Sequence, residues 1–230
     1  MTPLRFLCIL WIMDNKTMVK VLKEMERWYA EFKDPIVTEI AETTHDPFRV
    51  LISTILSLRT KDQITKEASF RLFRVADTPD RLMRLDVEYI ERLIYPVGFY
   101  KTKAKRIKEL SRIIIEEYNG EVPDTLNKLL RLPGVGRKTA NLVITLSYGK
   151  LGICVDTHVH RISNRLGYVN TKTPEQTELE LRKKLPHEWW IKFNDLLVTW
   201  GQNICTPISP KCSICPVSKY CEKKGVSISR

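Results

Sequence analysis

Leu132-Pro133-Gly134-Val135-Gly136-Arg137-Lys138-Thr139-Ala140 sets the architecture of the chain around it. Two glycines flank one apolar residue, and a helical apolar pattern starts at once with Ala140, Val143 and Ile144. A matching pattern precedes it at Leu126, Leu129 and Leu130, so the unit reads as helix, tight hairpin, helix. Gly134 and Gly136 can take backbone angles closed to other residues and leave no side chain between the backbone and a ligand. The helix that follows opens with unpaired N–H groups, which suit a phosphate oxygen. Such a hairpin grips a nucleic-acid backbone without reading sequence. Leu132, Gly134, Val135, Gly136, Arg137 and Thr139 are therefore expected at the DNA contact, and Lys138, in the first turn, is the residue that could turn a grip into chemistry.

Working outward, the 230 residues hold 38 Lys+Arg against 27 Asp+Glu, a formal charge of +11. That excess favours an anionic partner, of which nucleic acid is the commonest; the plain alternative is a generally basic surface. The basic residues lie in patches such as 101–108 rather than in a tail, which implies a folded basic face. Phe6 to Met13 is a short apolar run after Arg5. It is at the short end for a signal peptide, no small-residue cleavage site follows, and it is far too short to span a bilayer. Residues 1–17 are read as a flexible extension, with Met13 or Met18 as the usual start, of a cytoplasmic protein with no membrane partner.

Nearly every other segment reads as helix. Val21, Leu22, Met25, Trp28, Tyr29 and Phe32 fall at helical spacing. Asp34-Pro35, Asp46-Pro47, Thr78-Pro79 and Thr173-Pro174 each place a capping residue before a proline, and Gln176 completes a capping box. Phe48 to Leu58 is apolar enough for the core. Lys101 to Tyr118 is a basic amphipathic helix stopped at Asn119-Gly120, and Glu188 to Asn203 is an aromatic-rich one. No sustained period-2 alternation occurs, so the fold class is all-α.

The pattern breaks after Asn203. Cys205, Cys212, Cys215 and Cys221 are spaced C-x6-C-x2-C-x5-C within seventeen residues. Four thiols this close in an intracellular chain argue for metal over disulfides. Zinc and a cubane iron–sulfur cluster both accept four cysteines; with only one C-x2-C knuckle the spacing leans to iron–sulfur. Cys8 and Cys154 read as ordinary free thiols. An electron-transfer role is the rival to a structural one, but the cluster closes the end of a long helical chain.

An exposed lysine has a pKa of about 10.4, so a nucleophilic Lys138 needs desolvation or nearby positive charge, which the helix N-terminus and Arg137 could supply. An amine can displace a base from a sugar C1′ and leave a Schiff base, which acidifies the neighbouring carbon and lets the 3′ phosphate leave. Alone, the hairpin allows a plain phosphate contact equally well. Asp156 stands eighteen residues on, in Val155-Asp156-Thr157-His158-Val159-His160. A carboxylate there could stabilise positive charge at C1′ or shuttle a proton; an aspartate before a helix is also an ordinary N-cap. His158 is near enough in sequence to reach DNA.

The hairpin, the Val-Asp-Thr-His segment and the cysteine tail stand in the order found in the endonuclease III family, which the chain resembles over about residues 20 to 222. The hairpin alone is common among DNA-binding proteins; the three together are specific. The resemblance implies a two-lobed all-α fold with DNA across the cleft: a six-helix barrel over 45–150, and a discontinuous lobe of 18–44 and 151–230 holding a 4Fe–4S cluster at 205–221. It implies a bifunctional DNA glycosylase and abasic-site lyase for oxidised pyrimidines, acting as a monomer on damaged or abasic duplex DNA of the chromosome. By position Lys138 is then the Schiff-base nucleophile, Asp156 the catalytic carboxylate and the four cysteines the cluster ligands. Arg59, in Leu56-Ser57-Leu58-Arg59-Thr60, aligns with a residue that fills the gap left by a flipped base, and Phe99, in Gly98-Phe99-Tyr100, with an apolar wedge. The loop before Asp156 departs from the family in lacking a proline. The nearest alternative is a monofunctional mismatch glycosylase, whose members generally lack the lysine; a non-enzymatic DNA-binding or electron-transfer protein leaves Asp156 or the hairpin without a purpose.

Overall fold

The apolar run from Phe48 becomes helix α3 (Pro47–Ser57), the axis of the larger lobe in the computed structural model, which describes residues 13–230. Asp46 starts it as expected, its carboxylate accepting from the N–H groups of Phe48 (2.8 Å) and Arg49 (3.4 Å). Phe48 and every residue from Val50 to Leu56 are buried. Around it pack α2 (Ile36–Thr44), α4 (Asp62–Phe73), α7 (Tyr100–Tyr118) and α9 (Arg137–Tyr148), with α5 (Pro79–Arg84), α6 (Val87–Ile94) and α8 (Leu126–Leu129) closing the barrel. One apolar core runs through them from Ile36 to Cys154. At about 1.5–3 kcal/mol for each fully buried aliphatic side chain, that core is the lobe's main source of stability.

A second core joins the N-terminal α1 (Asn15–Tyr29) to α10 (Thr157–Arg165), α11 (Pro174–Lys184), α12 (Trp190–Asn203) and Val217. Trp28 meets Trp200 edge-on with ring centres 6.5 Å apart. The described residues are all helix and loop, without a strand, as the sequence pattern implies.

Some boundaries differ from expectation. The run from Phe6 lies outside the described residues except for Met13, which is buried and donates its N–H to Gly167 O at 3.0 Å. Asp14 caps α1 through the Thr17 N–H. Residues 13–17, expected in a flexible extension, are therefore built into the smaller lobe. α2 buries Ile36, Val37 and Ile40 in the larger core, so 18–44 divides near Pro35. Residues 45–150 form seven helical segments rather than six, α8 being a single turn. Asp34 does not cap α2; it accepts from the Tyr29 hydroxyl at 2.5 Å. The segment after Pro186 opens with a 3₁₀ turn, His187–Trp189, before α12 begins. Gln176 accepts from Lys172 N–H, one residue short of a regular capping box. Asn119 and Gly120 do stop α7, with φ of 54° and 83°. No helix among the described residues is long and apolar enough to cross a membrane.

Candidate active site

The two lobes bring two helix N-termini together. Lys138 sits in the first turn of α9 and Asp156 is the N-cap of α10, and their Nζ and Oδ2 atoms lie 3.8 Å apart. Asp156 divides its work between its oxygens. Oδ1 accepts from His158 N–H (2.8 Å) and Val159 N–H (2.9 Å), which fixes the carboxylate, and Oδ2 is left to face the lysine. The Lys138 side chain keeps 35 % exposure against 10 % for Asp156, so the amine is reachable and the carboxylate is held behind it. Both line a cleft of about 220 Å³ whose walls also include Ser57, Arg59, Thr60 and His158.

The hairpin glycines differ. Gly134 has φ of +78°, and a Cβ there would stand 3.0 Å from Arg106 Cδ, so glycine is required. Gly136 has ordinary extended backbone (φ −92°, ψ 178°) and open space where a Cβ would be. It leaves the start of α9, which has no side-chain cap, open to an approaching anion. Leu132, Val135 and Thr139 bury their side chains. The N–H groups of Leu132 and Val135 are also taken, by Leu129 O (3.1 Å) and Leu132 O (3.2 Å). Expected at the DNA contact, Leu132 and Val135 instead anchor the hairpin, and Thr139 can offer only its backbone N–H.

Arg137 also departs from expectation. Its guanidinium donates to both oxygens of Glu178 on α11, at 2.7 and 2.6 Å, and so ties the hairpin helix to the smaller lobe. Glu178 takes Arg182 Nε (2.9 Å) and Asn141 Nδ2 (3.1 Å) as well. Burial would raise the Glu178 carboxyl, but the hydrogen bonds from Arg137 and Arg182 outweigh it and hold it below the usual carboxylate range. This latch is then intact above the ordinary glutamate pKa and is lost as pH falls through the depressed one. Glu178→Gln is expected to cost about 2 kcal/mol at pH 7, because two partly exposed guanidiniums lose their buried partner. Urea melts at pH 7 and below about pH 4 check it: the difference from the parent should shrink in acid, and a constant difference would exclude an ionic latch.

Arg59 lines the cleft, and Phe99 lies beside it. Both have left-handed backbone, φ 54° and 57°, and the guanidinium carbon stands 5.6 Å from the ring centre. Phe99 is 62 % exposed, which no core role explains. His158 lines the cleft, but Arg161 Nη2 donates to its Nδ1 at 3.1 Å, leaving the proton of the neutral ring on Nε2. Burial pushes its pKa below the ordinary histidine value, so the ring is neutral at pH 7.

Composition and motif reading passed over several cleft residues. Asp195 interrupts the apolar α12, and that lone carboxylate was the available signal; burial pushes it up to about 7, and it accepts from Thr38 Oγ1 at 3.1 Å. Asp62 and Gln202 complete the same wall. Arg161 and Arg165 were missed too. Arg161 donates to Cys205 O (2.8 Å), and Arg165 to Thr206 O (2.7 Å) and Cys205 Sγ (3.3 Å), so α10 runs from the cleft at one end to the cysteine loop at the other.

The four tail cysteines line one apolar cavity with Met25, Ile162, Leu166 and Trp200. They form no disulfide. Among the described residues no three His, Cys, Asp or Glu side chains converge closely enough for one ion. Four free thiols lining one cavity are the donor set that a tetracysteinyl cluster takes. Arg165 is buried with no carboxylate partner among the described residues, and an anionic thiolate cluster supplies the charge it faces. Cys154 is buried separately, its thiol 3.6 Å from Lys138 O.

Residues 52–187, more than half of the chain, match the HhH-GPD superfamily of base excision DNA repair proteins. Endonuclease III of Thermotoga maritima is 52% identical over 177 residues, 77% of this chain and 83% of that protein. The chain belongs to the endonuclease III family. Residues 205–221 match the iron–sulfur binding domain of endonuclease III, bounded by the first and last tail cysteines. A solved trapped endonuclease III–DNA covalent intermediate is 33% identical, covering 93% of this chain and 98% of that one at a TM-score of 0.84. A thermostable thymine-DNA glycosylase is 28% identical, covering 91% and 97%, with a TM-score of 0.78. As a member of the endonuclease III family the protein is a base excision repair DNA glycosylase that binds DNA and carries a 4Fe–4S cluster.

Proposed function

We propose that this protein excises oxidised pyrimidines from duplex DNA and then cuts the strand 3′ to the site, with Lys138 as nucleophile. The observation that carries the reading is the partly exposed Lys138 amine facing the free oxygen of a fixed Asp156 carboxylate across the lobe junction. In the first step the Lys138 nitrogen bonds to C1′, and the C1′–base bond breaks with its electron pair leaving on the base. Asp156 offsets the positive charge that develops at C1′ and takes a proton from the amine. Ring opening gives the C1′ imine, a proton leaves C2′, and the C3′–O bond breaks to release the 3′ phosphate.

Gly134 shapes the turn, while Gly136 and the open first-turn N–H groups of α9, Thr139 included, hold a backbone phosphate. Arg59 and Phe99 fill the gap left by the extruded nucleotide. His158 offers a neutral N–H at the cleft wall. Cys205, Cys212, Cys215 and Cys221 ligate the cluster, which staples the loop that Arg161 and Arg165 brace; the catalytic steps run through none of it. The protein acts as a monomer on damaged or abasic chromosomal DNA inside the cell.

The second reading is a glycosylase that removes the base without cutting the strand, and the likeness to a thymine-DNA glycosylase keeps mismatched thymine among its candidate bases. A duplex with one oxidised pyrimidine separates the two. Direct strand cleavage at neutral pH supports the lyase; an intact strand that breaks only after hot alkali supports the monofunctional reading. Affinity for the same duplex should fall steeply with added salt, as phosphate contacts require, and a flat response would contradict the backbone grip.

A further inference from the structure

Lys103, on α7, is a buried lysine that the reaction does not use, only 5% exposed and without a carboxylate partner among the described residues. Burial pushes its pKa down to about 8. A methionine would fill the same space without burying a charge. The amine's three donors nevertheless match three acceptors: Leu56 O at 2.9 Å, Leu58 O at 2.6 Å and Thr60 Oγ1 at 3.3 Å. Two of these are carbonyls at the end of α3 that lack helical partners, and all three surround the turn that carries Arg59. The Lys103 backbone N–H donates to Phe99 O at 3.0 Å. Thr60 Oγ1 also accepts from Gly98 N–H at 3.1 Å, and a Cβ on Gly98 would stand 2.6 Å from Arg59 O. The Phe99 bond is the regular helical one from the fourth residue of α7 back to its N-cap, so the Lys103 side chain holds the Arg59 turn, and through Thr60 the turn holds Gly98, the residue before Phe99.

We propose that Lys103 is a positioning residue that locks Arg59 and Phe99 into a single preformed wedge, so that both left-handed residues are set before DNA arrives. The proposal rests on the reading above that this pair occupies the gap left by a flipped nucleotide. Pre-organisation removes an ordering cost from the step that extrudes the base. It matters most where a paired base must be unstacked and least at an abasic site, which has no base to extrude.

The test is a double-mutant cycle of Lys103→Met and Arg59→Ala, measured as kcat/KM on a paired oxidised pyrimidine and as incision of an abasic site. Lys103→Met is expected to lower excision about 10- to 100-fold, a loss of one well-placed positioning element, and abasic incision less than about 3-fold. On the paired lesion the double variant should be little worse than Arg59→Ala alone, because Lys103 acts through it. A fluorescent base analogue opposite the lesion should brighten on binding to the parent and stay dim with Lys103→Met. Additive losses, or equal losses on both substrates, overturn the proposal. If Arg59→Ala itself shows no selective loss, the wedge reading fails first. Should Lys103→Met not fold, Thr60→Val cuts the link between Lys103 and Gly98: a selective loss of excision supports the proposal, and none overturns it.

Discussion

Lys138→Ala should leave no covalent protein–DNA complex after borohydride reduction with an abasic duplex. Loss of the nucleophile should lower the coupled excision and cutting by about four orders of magnitude or more. Binding should change little, because the proposed grip uses the uncapped backbone N–H groups at the start of α9 rather than this amine. Folding should be preserved as well. The side chain is a third exposed and its one charged partner stands 3.8 Å away, so truncation should cost no more than about 0.5 kcal/mol. Any residual activity should change character: with the amine gone, Asp156 can still assist attack by water, which leaves an abasic site uncut. Gel analysis before and after alkali reads both effects. A trapped complex of undiminished yield would move the nucleophile elsewhere.

Asp156→Asn is expected to lower excision by about 10²- to 10⁴-fold, the range for losing a positioned proton-transfer group, while the melting temperature stays near that of the parent. The asymmetry follows from the two oxygens. Asparagine caps a helix about as well as aspartate, so the bonds from His158 N–H and Val159 N–H survive. The charge facing Lys138 is what disappears. Asp156→Ala removes both functions and should add about 1 kcal/mol of destabilisation. Single-turnover kinetics and thermal melts on the two variants therefore separate catalysis from capping. Full activity in Asp156→Asn would mean that the charge at C1′ is stabilised by something other than this carboxylate.

The parts of the site that were legible in the sequence are those whose chemistry is local. The hairpin announces its turn through Gly134, and Asp156 announces its cap by standing before an apolar helical pattern. The cysteine spacing carries its cavity inside seventeen residues. The burial of Phe48 and of most residues from Val50 to Leu56 was likewise written in their apolar composition. What could not be read locally is the partner of each charge. Arg137 looks like a phosphate contact until Glu178, 41 residues away, is folded against it. Lys103 looks like one more basic residue in a patch until the end of α3 arrives above it. Leu132 and Val135 share a motif with the hairpin glycines, yet their apolar side chains serve the core. The assignment of α2 to the larger lobe is the same case, since only packing shows which core Ile36 and Ile40 enter.

The central claim is that one lysine forms the bond to the sugar. Reducing the complex with an abasic duplex, digesting DNA and protein, and locating the residual sugar mass by tandem mass spectrometry tests it directly. The adduct is expected on the Lys138 side chain and nowhere else in stoichiometric amount. An adduct on another amine, Lys103 or the N-terminus included, would contradict it.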